Sequence, residues 1–338
     1  MKQLEAFTLG KKIGHPETNE DSLVIMPDLG YAVIDGVTDR NGTRYGGMLS
    51  GRYASRTVRR ALEVFMLAQG QDDKPDLQFQ GGEHLIAYLS KAIHQGYVDH
   101  GALDAVTEDW KLRAGCTVMV ALPIGDRLEV VAVGDSGLRI NGNDVLQVLK
   151  PLDDVTAILR RETWRYFEAL GHDALEADKH AAAMTWQGTR NQTPGLPTAA
   201  PDVVAEIERR ALAACIAHLP GVPQDEILML IHHGISHGQG NFQNITEPAL
   251  GYGGLDGFAV PSRYIETRSY ALADVETIEL FSDGYFKLGD GFGVAAWEKA
   301  FQEVEAEDLY KIGPYMSTKG TTATMLTDDR SYLGVRLK

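Results

Sequence analysis

The chain has 338 residues, 44% of them hydrophobic and 23% charged, with a formal net charge of −15. That length allows one large domain or two ordinary ones with ample core, and the composition is that of a soluble globular protein. The acidic surplus argues against nucleic acid or an anionic membrane as the main partner, because both reward Lys and Arg.

The first residues, Met1-Lys2-Gln3-Leu4-Glu5, lack the apolar core of a signal peptide. A strand is expected from Leu4 to Lys12. A polar loop carrying Gly14, Pro16 and Asn19-Glu20-Asp21 leads to a strand from Ser22 to Met26. The turn Pro27-Asp28-Leu29-Gly30 predicts an antiparallel partner, Tyr31 to Ile34, with Asp35 at its exit. After a loop rich in Gly, Thr and Arg, Ser50 suits the N-cap of a helix ending near Gly70. Ala54, Val58, Ala61, Phe65 and Ala68 share one face of it. Gln71 to Gln80 reads as a linker. A second helix from Glu83 to Val98 follows, with Leu85, Ile86, Leu89 and Ile93 together.

From Cys116 the runs to Leu122, Arg127 to Val133, Leu138 to Ile140 and Val145 to Leu149 predict an antiparallel meander. Gly125-Asp126, Gly134-Asp135-Ser136 and Asn141-Gly142 punctuate it, so a doubly wound parallel sheet is disfavoured. Helices are expected from Val155 to Leu170 and from Val203 to Leu219, with a loop from Gln187 to Pro201. Glu226 to His233 fits strand and helix equally. Strands to Leu272 and from Thr277 into Ser282 come next. Then follow a helix from Ala295 to Val304, a helical stretch around Leu309 to Tyr315, and a closing hairpin of Thr321 to Leu326 and Tyr332 to Leu337. The order suggests packed antiparallel sheets flanked by helices in one domain. Cys116 and Cys215 are too few and too scattered for a disulfide framework or a zinc knuckle, which points to a reduced, cytoplasmic setting. No apolar run approaches the ~18 residues that span a bilayer.

Carboxylates recur at the ends of β-runs: Glu20-Asp21, Asp35-Gly36, Gly134-Asp135, Asp283-Gly284 and Asp328-Asp329. Taken alone, Asp35-Gly36 reads as a turn. The recurrence is what suggests a cation. Two carboxylates ~4 Å apart repel by roughly 4 kcal/mol at an effective dielectric near 20. A cluster of them therefore holds protons or a cation, and oxygen-only ligands favour Mg²⁺ or Mn²⁺ over zinc or copper. Two such ions can share a water and orient it for attack on phosphorus.

At Asn19-Glu20-Asp21-Ser22, Asp35-Gly36, Ala114-Gly115-Cys116-Thr117, Val133-Gly134-Asp135-Ser136, Phe281-Ser282-Asp283-Gly284 and Asp328-Asp329-Arg330-Ser331 the chain resembles the metal-dependent protein phosphatases of the protein phosphatase 2C type. The motifs come in that family's order and span nearly the whole chain. The resemblance implies an α+β fold: a four-layer αββα sandwich of two mainly antiparallel sheets flanked by helices. Residues 1–338 then form a single domain with an enlarged variable region around 151–261. It implies hydrolysis of phosphoserine or phosphothreonine esters on phosphoproteins, with two Mn²⁺ or Mg²⁺ ions and a bridging hydroxide. Asp35 matches the ligand shared by both ions, and the Gly36 carbonyl a ligand of one. Glu20 matches the acidic ligand of the second ion, and Asp283 and Asp328 those of the first. Asp135 matches the residue linked to a weaker third ion, and Asp21 the neighbour that holds metal-bound water, so Asp21 and Asp35 are the catalytic pair. The resemblance leaves Asp329 as a substitute for, or a support to, its neighbour Asp328.

Two departures stand out. Pro16, beside His15, stands where many members carry a phosphate-gripping Arg. Val37-Thr38-Asp39 follows Gly36 where eukaryotic members have His-Gly-Gly. Arg40, Arg44 and Arg52 are the candidates for the missing guanidinium, since a planar fork suits phosphate. The departures also admit a phosphatase-like regulatory or binding protein without turnover, and region 151–261 admits a small-molecule phosphoesterase. Elsewhere, His232, His233 and His237 lack a partner spaced to complete a zinc site. Trp164, Tyr166 and Phe167 read as core, and Gly251-Tyr252-Gly253-Gly254 with Asp256-Gly257 as a turn. No Walker-type or G-x-S-x-G motif supports an ATPase or an α/β-hydrolase.

Overall fold

In the computed structural model, which describes residues 1–38 and 41–338, the β-branched runs of the sequence become two five-stranded antiparallel sheets. In chain order the elements are β1 (Gln3–Leu9), β2 (Ser22–Met26), β3 (Gly30–Gly36), β4 (Arg44–Tyr45), β5 (Met48–Leu49), α1 (Ser50–Ala68), α2 (Gly82–Asp99) and α3 (Leu103–Glu108). Then come β6 (Cys116–Ile124), β7 (Arg127–Val133), β8 (Gly137–Ile140), β9 (Asp144–Gln147), α4 (Pro151–Ala169), α5 (Ala174–Gln187), α6 (Pro201–His218) and α7 (Gln224–Gly238). The last are β10 (Glu266–Ala271), β11 (Thr277–Phe281), α8 (Val294–Glu307) and β12 (Arg330–Arg336). The chain divides into two compact units. One comprises Met1–Leu149, Gly253–Gln302 and Asp328–Lys338; the other comprises Lys150–Tyr252 and Glu303–Thr327.

The first unit is an αββα sandwich. One sheet runs β10-β7-β6-β3-β2 and the other β1-β12-β11-β8-β9. Side chains alternate across a strand, so one strand serves two interfaces. In β6, Val118, Val120 and Leu122 face α1 and α2, among Val58, Leu62, Phe65, Leu89 and Ile93. Met119 and Ala121 face the other sheet, among Val130, Leu138, Leu280 and Leu333. Both faces are buried, and each Val or Leu contributes roughly 1.5–3 kcal/mol there. This is why β6 reads as one unbroken apolar run. On the outer face of the second sheet, Trp297 of α8 packs on Phe281 and Tyr332.

Local expectations fail where a tertiary partner intervenes. β1 stops at Leu9 rather than Lys12, because Leu9 pairs with Arg330, the first residue of β12, and the ladder has no further partner. The four-run meander is two hairpins in different sheets: β6 pairs with β7 and β8 with β9, with Gly134-Asp135-Ser136 crossing between. Ser50 begins α1 rather than capping it; Leu49, held in the β4–β5 ribbon, precedes it. The closing hairpin does not form. Both edges of β12 are taken, by β1 and β11, and 321–326 folds as turns in which the Thr322 hydroxyl accepts the Met325 N–H at 3.1 Å.

The second unit is helical. Leu152, Ile158 and Trp164 of α4 pack with Ala177 and Ala181 of α5, Ile207 and Ala211 of α6, and Ile227 and Ile231 of α7. Trp164 and Phe167 are core, as expected. The ambiguous run from Glu226 to His233 is helical. α5 was not foreseen: its buried face is largely Ala, which gives little hydrophobic contrast, although the Asp173 cap accepting the Glu176 N–H at 2.9 Å leaves a legible start signal. Around Leu309 to Tyr315 no helix forms. The Asp308 carboxylate takes the N–H groups of Ile312, Gly313 and Tyr315 at 2.9–3.0 Å, offering the backbone an alternative to helical bonds. Among the described residues no helix is long and apolar enough to cross a membrane.

Candidate acidic centre

Antiparallel pairing decides where the carboxylates fall. In one sheet the start of β2 meets the end of β3 (Ser22 with Ile34), which meets the start of β6 (Gly36 with Cys116), which meets the end of β7 (Val118 with Val133). In the other, the end of β1 meets the start of β12 (Leu9 with Arg330), β12 meets the end of β11 (Tyr332 with Phe281), and β11 meets the start of β8 (Phe281 with Gly137). Residues just before β2, at the end of β3 and just after β7 therefore share one end of the first sheet, and residues just after β1 and β11 and just before β12 share one end of the second. Hydrogen bonds of Asp329 with the Glu20 N–H and of Ser331 with Asp21 bring the two ends together. The residues gathered are Glu20-Asp21, Asp328-Asp329, Asp35, Lys11, Asp135 and Asp283.

The carboxylates feel one another. Asp35 and Asp283 share a hydrogen bond, and both carboxyls are raised well above the ordinary range. Loss of water is the main cause for each. Asp21, Asp328 and Asp135 add repulsion at Asp35; Asp35 itself, Asp135 and Asp328 add it at Asp283. Burial pushes Asp21 up to about 7, with Asp329 adding to it, against the hydrogen bond that the Ser331 hydroxyl donates to Asp21 Oδ2 at 2.7 Å. Burial likewise lifts Glu20 to about 7, opposed by Lys11. Glu20 Oε1 and Asp21 Oδ1 are buried with no hydrogen-bond partner.

Lys11 is the residue that sequence reading missed. Its side chain turns into the cluster, with Nζ 3.2 Å from Glu20 Oε2, 3.1 Å from Asp328 Oδ1 and 2.9 Å from Asp329 Oδ2. Burial pulls this ammonium's pKa down, but Asp328, Asp329 and Glu20 outweigh it and carry it well above the ordinary value. Nothing in Gly10-Lys11-Lys12 distinguishes Lys11 from a solvated lysine. Only the end of the β1 ladder aims it inward. Asp329, expected as a substitute or support, is a clamp: Oδ1 accepts the Lys11 N–H at 2.7 Å and Oδ2 the Glu20 N–H at 3.4 Å.

The three candidate arginines differ. Arg44 is exposed on the β4–β5 ribbon and donates to the Gly47 carbonyl at 2.9 Å. Arg52 of α1 donates to the Asn19 carbonyl, one residue before Glu20. Arg40 lies outside the described residues. The histidines expected to be ordinary sit in the other unit, where α7 breaks at Gly234 (φ 59°) and His232 Nε2 lies 3.1 Å from Glu208 Oε1. The Asp256 turn is locked by Arg113 at 3.1 Å and by the Phe258 N–H at 3.1 Å.

Several solved structures match over the full chain, and they are serine/threonine phosphatases. Stp1 of Staphylococcus aureus is 13% identical, with 100% of this chain and 96% of that one covered and a TM-score of 0.46. PstP/Ppp of Mycobacterium tuberculosis is 17% identical, with 99% and 98% covered and a TM-score of 0.39. The catalytic domain of PstP in complex with two manganese ions is 18% identical, with 98% and 96% covered and a TM-score of 0.37. No family model matches the chain, and neither does any curated protein. At these scores the likenesses carry no argument, and function has to be read from the chain's own residues.

Among the described residues no group of three or more His, Cys, Asp or Glu side chains is disposed to hold a metal ion as it stands. The carboxylates are turned onto Lys11, Ser331 and one another. The donor chemistry nonetheless fits a hard divalent ion on the Asp35–Asp283 side. The donors are oxygens, two carboxyls are left sharing a proton, and Asp21 Oδ1 is buried without a partner. The backbone is drawn in tightly as well: a Cβ on Gly36 would lie 2.6 Å from the carbonyl oxygens of both Glu20 and Gly51. On the Glu20 side the carboxylates already hold an ammonium between them.

Proposed function

We propose that this chain is a divalent-cation-dependent phosphoester hydrolase of the protein phosphatase 2C type, acting on phosphoserine or phosphothreonine in proteins. One observation carries the reading. Five acidic motifs scattered from Glu20 to Asp329 converge at one end of an αββα sandwich: strand register gathers them at one end of each sheet, and contacts such as Ser331 with Asp21 and Asp35 with Asp283 join the two sets. Asp35 and Asp283 are the carboxylates that would hold Mn²⁺ or Mg²⁺, with the Gly36 carbonyl, Asp135 and Asp328 as the neighbouring oxygens. A divalent ion bound there polarises a phosphoryl oxygen and acidifies water.

The protein's own groups supply the rest. Ser331 fixes one oxygen of Asp21, and Oδ1 is buried without a hydrogen-bond partner. With its carboxyl near neutral pH, Asp21 is the proton acceptor for a water attacking phosphorus. As that oxygen bonds to phosphorus, the bond to the serine or threonine oxygen breaks, and the departing oxygen takes a proton from solvent to leave as the alcohol. Arg52, anchored at Asn19 beside the cluster, is the guanidinium placed to meet the phosphate.

Mn²⁺-dependent hydrolysis of p-nitrophenyl phosphate and of a phosphothreonine peptide tests the reading. Chelation should abolish turnover, and Asp35→Asn should lose at least a hundredfold in kcat while keeping the wild-type circular dichroism. An Asp35→Asn protein with normal turnover and metal content would sink it. The ammonium among the acids favours a second reading, a phosphatase-like binding protein without turnover. Tight phosphopeptide binding with no phosphate release would select that one.

A further inference from the structure

Lys11 is 8% exposed, and four oxygens surround its Nζ: Glu20 Oε2, Asp328 Oδ1 and Asp329 Oδ2 at 2.9–3.2 Å, with Thr38 Oγ1 at 2.9 Å. An ammonium has three protons and no acceptor. Four oxygens, three of them from carboxylates, therefore make a coordination shell for a cation rather than a set of separate pairs. The shell is held from outside. Asp329 is gripped by the N–H groups of Lys11 and Glu20, and Asp328 Oδ1 accepts the Asp329 N–H at 3.0 Å. Among the described residues no ammonium reaches Asp35, Asp283 or Asp21 on the other side, where Asp21 Oδ1, in a residue 9% exposed, has no hydrogen-bond partner. The cluster thus has two halves, one that holds an ammonium of the chain and one that does not.

We propose that the Lys11 ammonium takes the place of one divalent cation in this centre, so that the chain binds a single divalent ion, on the Asp35–Asp283 side. The inference rests on the hydrolase reading for its choice of cation. A second divalent ion at Glu20 would have to enter a shell already filled by a positive charge, and would be repelled in proportion to both charges.

The test counts ions. Equilibrium dialysis against Mn²⁺ with elemental analysis should give one ion per wild-type chain, with the electron paramagnetic resonance spectrum of an isolated Mn²⁺. Lys11→Met keeps the apolar stem and removes the charge; it should bind two ions and show a spin-coupled pair. Two ions in the wild type overturn the inference and leave the hydrolase reading standing. One ion in both proteins overturns the role given to Lys11. No bound Mn²⁺ together with no Mn²⁺-dependent hydrolysis overturns the hydrolase reading itself. Should Lys11→Met lack a cooperative melt, the wild-type spectrum decides alone: an isolated signal at one ion per chain supports the proposal, and a coupled pair refutes it.

Discussion

The two oxygens of the Asp21 carboxylate differ: Oδ2 is held by Ser331, and Oδ1 is buried without a hydrogen-bond partner. Ser331→Ala should lower kcat by about tenfold with little change in KM, because it loosens an acceptor without touching phosphate. Arg52→Ala should do the reverse and raise KM for a phosphopeptide by about tenfold, since one charge-assisted contact is worth ~1.4 kcal/mol or more. Steady-state kinetics on the two variants separates these effects, and an unchanged KM in Arg52→Ala would remove Arg52 from the site. At this scale the sequence was partly legible. An Asp beside a Gly at the end of an apolar run announces itself by type and place. Lys11 and Ser331 do not, because their importance lies entirely in what faces them.

β8 and β11 cross the middle of the second sheet carrying a buried ion pair, Arg139 and Glu279, joined at 2.6 and 2.8 Å. Glu279 Oε1 also accepts from Trp297 Nε1 at 2.9 Å and from the Tyr332 hydroxyl at 2.8 Å, while Arg139 donates to the Gly289 carbonyl at 2.7 Å. The pair therefore ties the sheet to α8 and to the loop before it. Arg139→Met should cost about 3–5 kcal/mol in urea unfolding, because it strands a carboxylate in the core. Arg139→Met with Glu279→Leu should recover most of that loss, and a double variant as unstable as the single would show the network is needed as a whole. Most elements were legible because their apolar period is local. The exceptions have local chemistry too, but a stronger claim on it. Asp308 unwinds 309–315, and β12 ignores its neighbours in sequence because β1 and β11 already occupy both its edges.

Across the whole molecule the acidic centre couples stability to pH and, on the proposed function, to divalent ions. Glu20 and Asp21 have carboxyls raised to about 7 in the folded chain. Unfolded carboxylates titrate near ~4. A group raised in this way contributes stability that is full below its unfolded value and is lost as pH climbs through its folded value. Lys11, raised in its turn, keeps its contribution throughout that window. In chelator the protein should therefore unfold at lower urea at pH 8 than at pH 5, and Mn²⁺ should narrow the gap as the ion replaces protons on the carboxylates. A chelated protein more stable at pH 8 would contradict the crowding described for the cluster.

The sequence alone determined that this is a mixed α and β chain with antiparallel sheets, and it picked out the acidic residues that the fold gathers at one end of the sandwich. Both are written in local pattern: the alternation of apolar residues within a strand, and an Asp set against a Gly where a strand ends. Only the tertiary structure decided that the apparent meander parts into two sheets, that β1 ends early enough to turn Lys11 inward, and that an ammonium stands among the carboxylates. Those outcomes depend on which strand edges remain free after the distant pairs have formed, and no window of neighbouring residues contains that information.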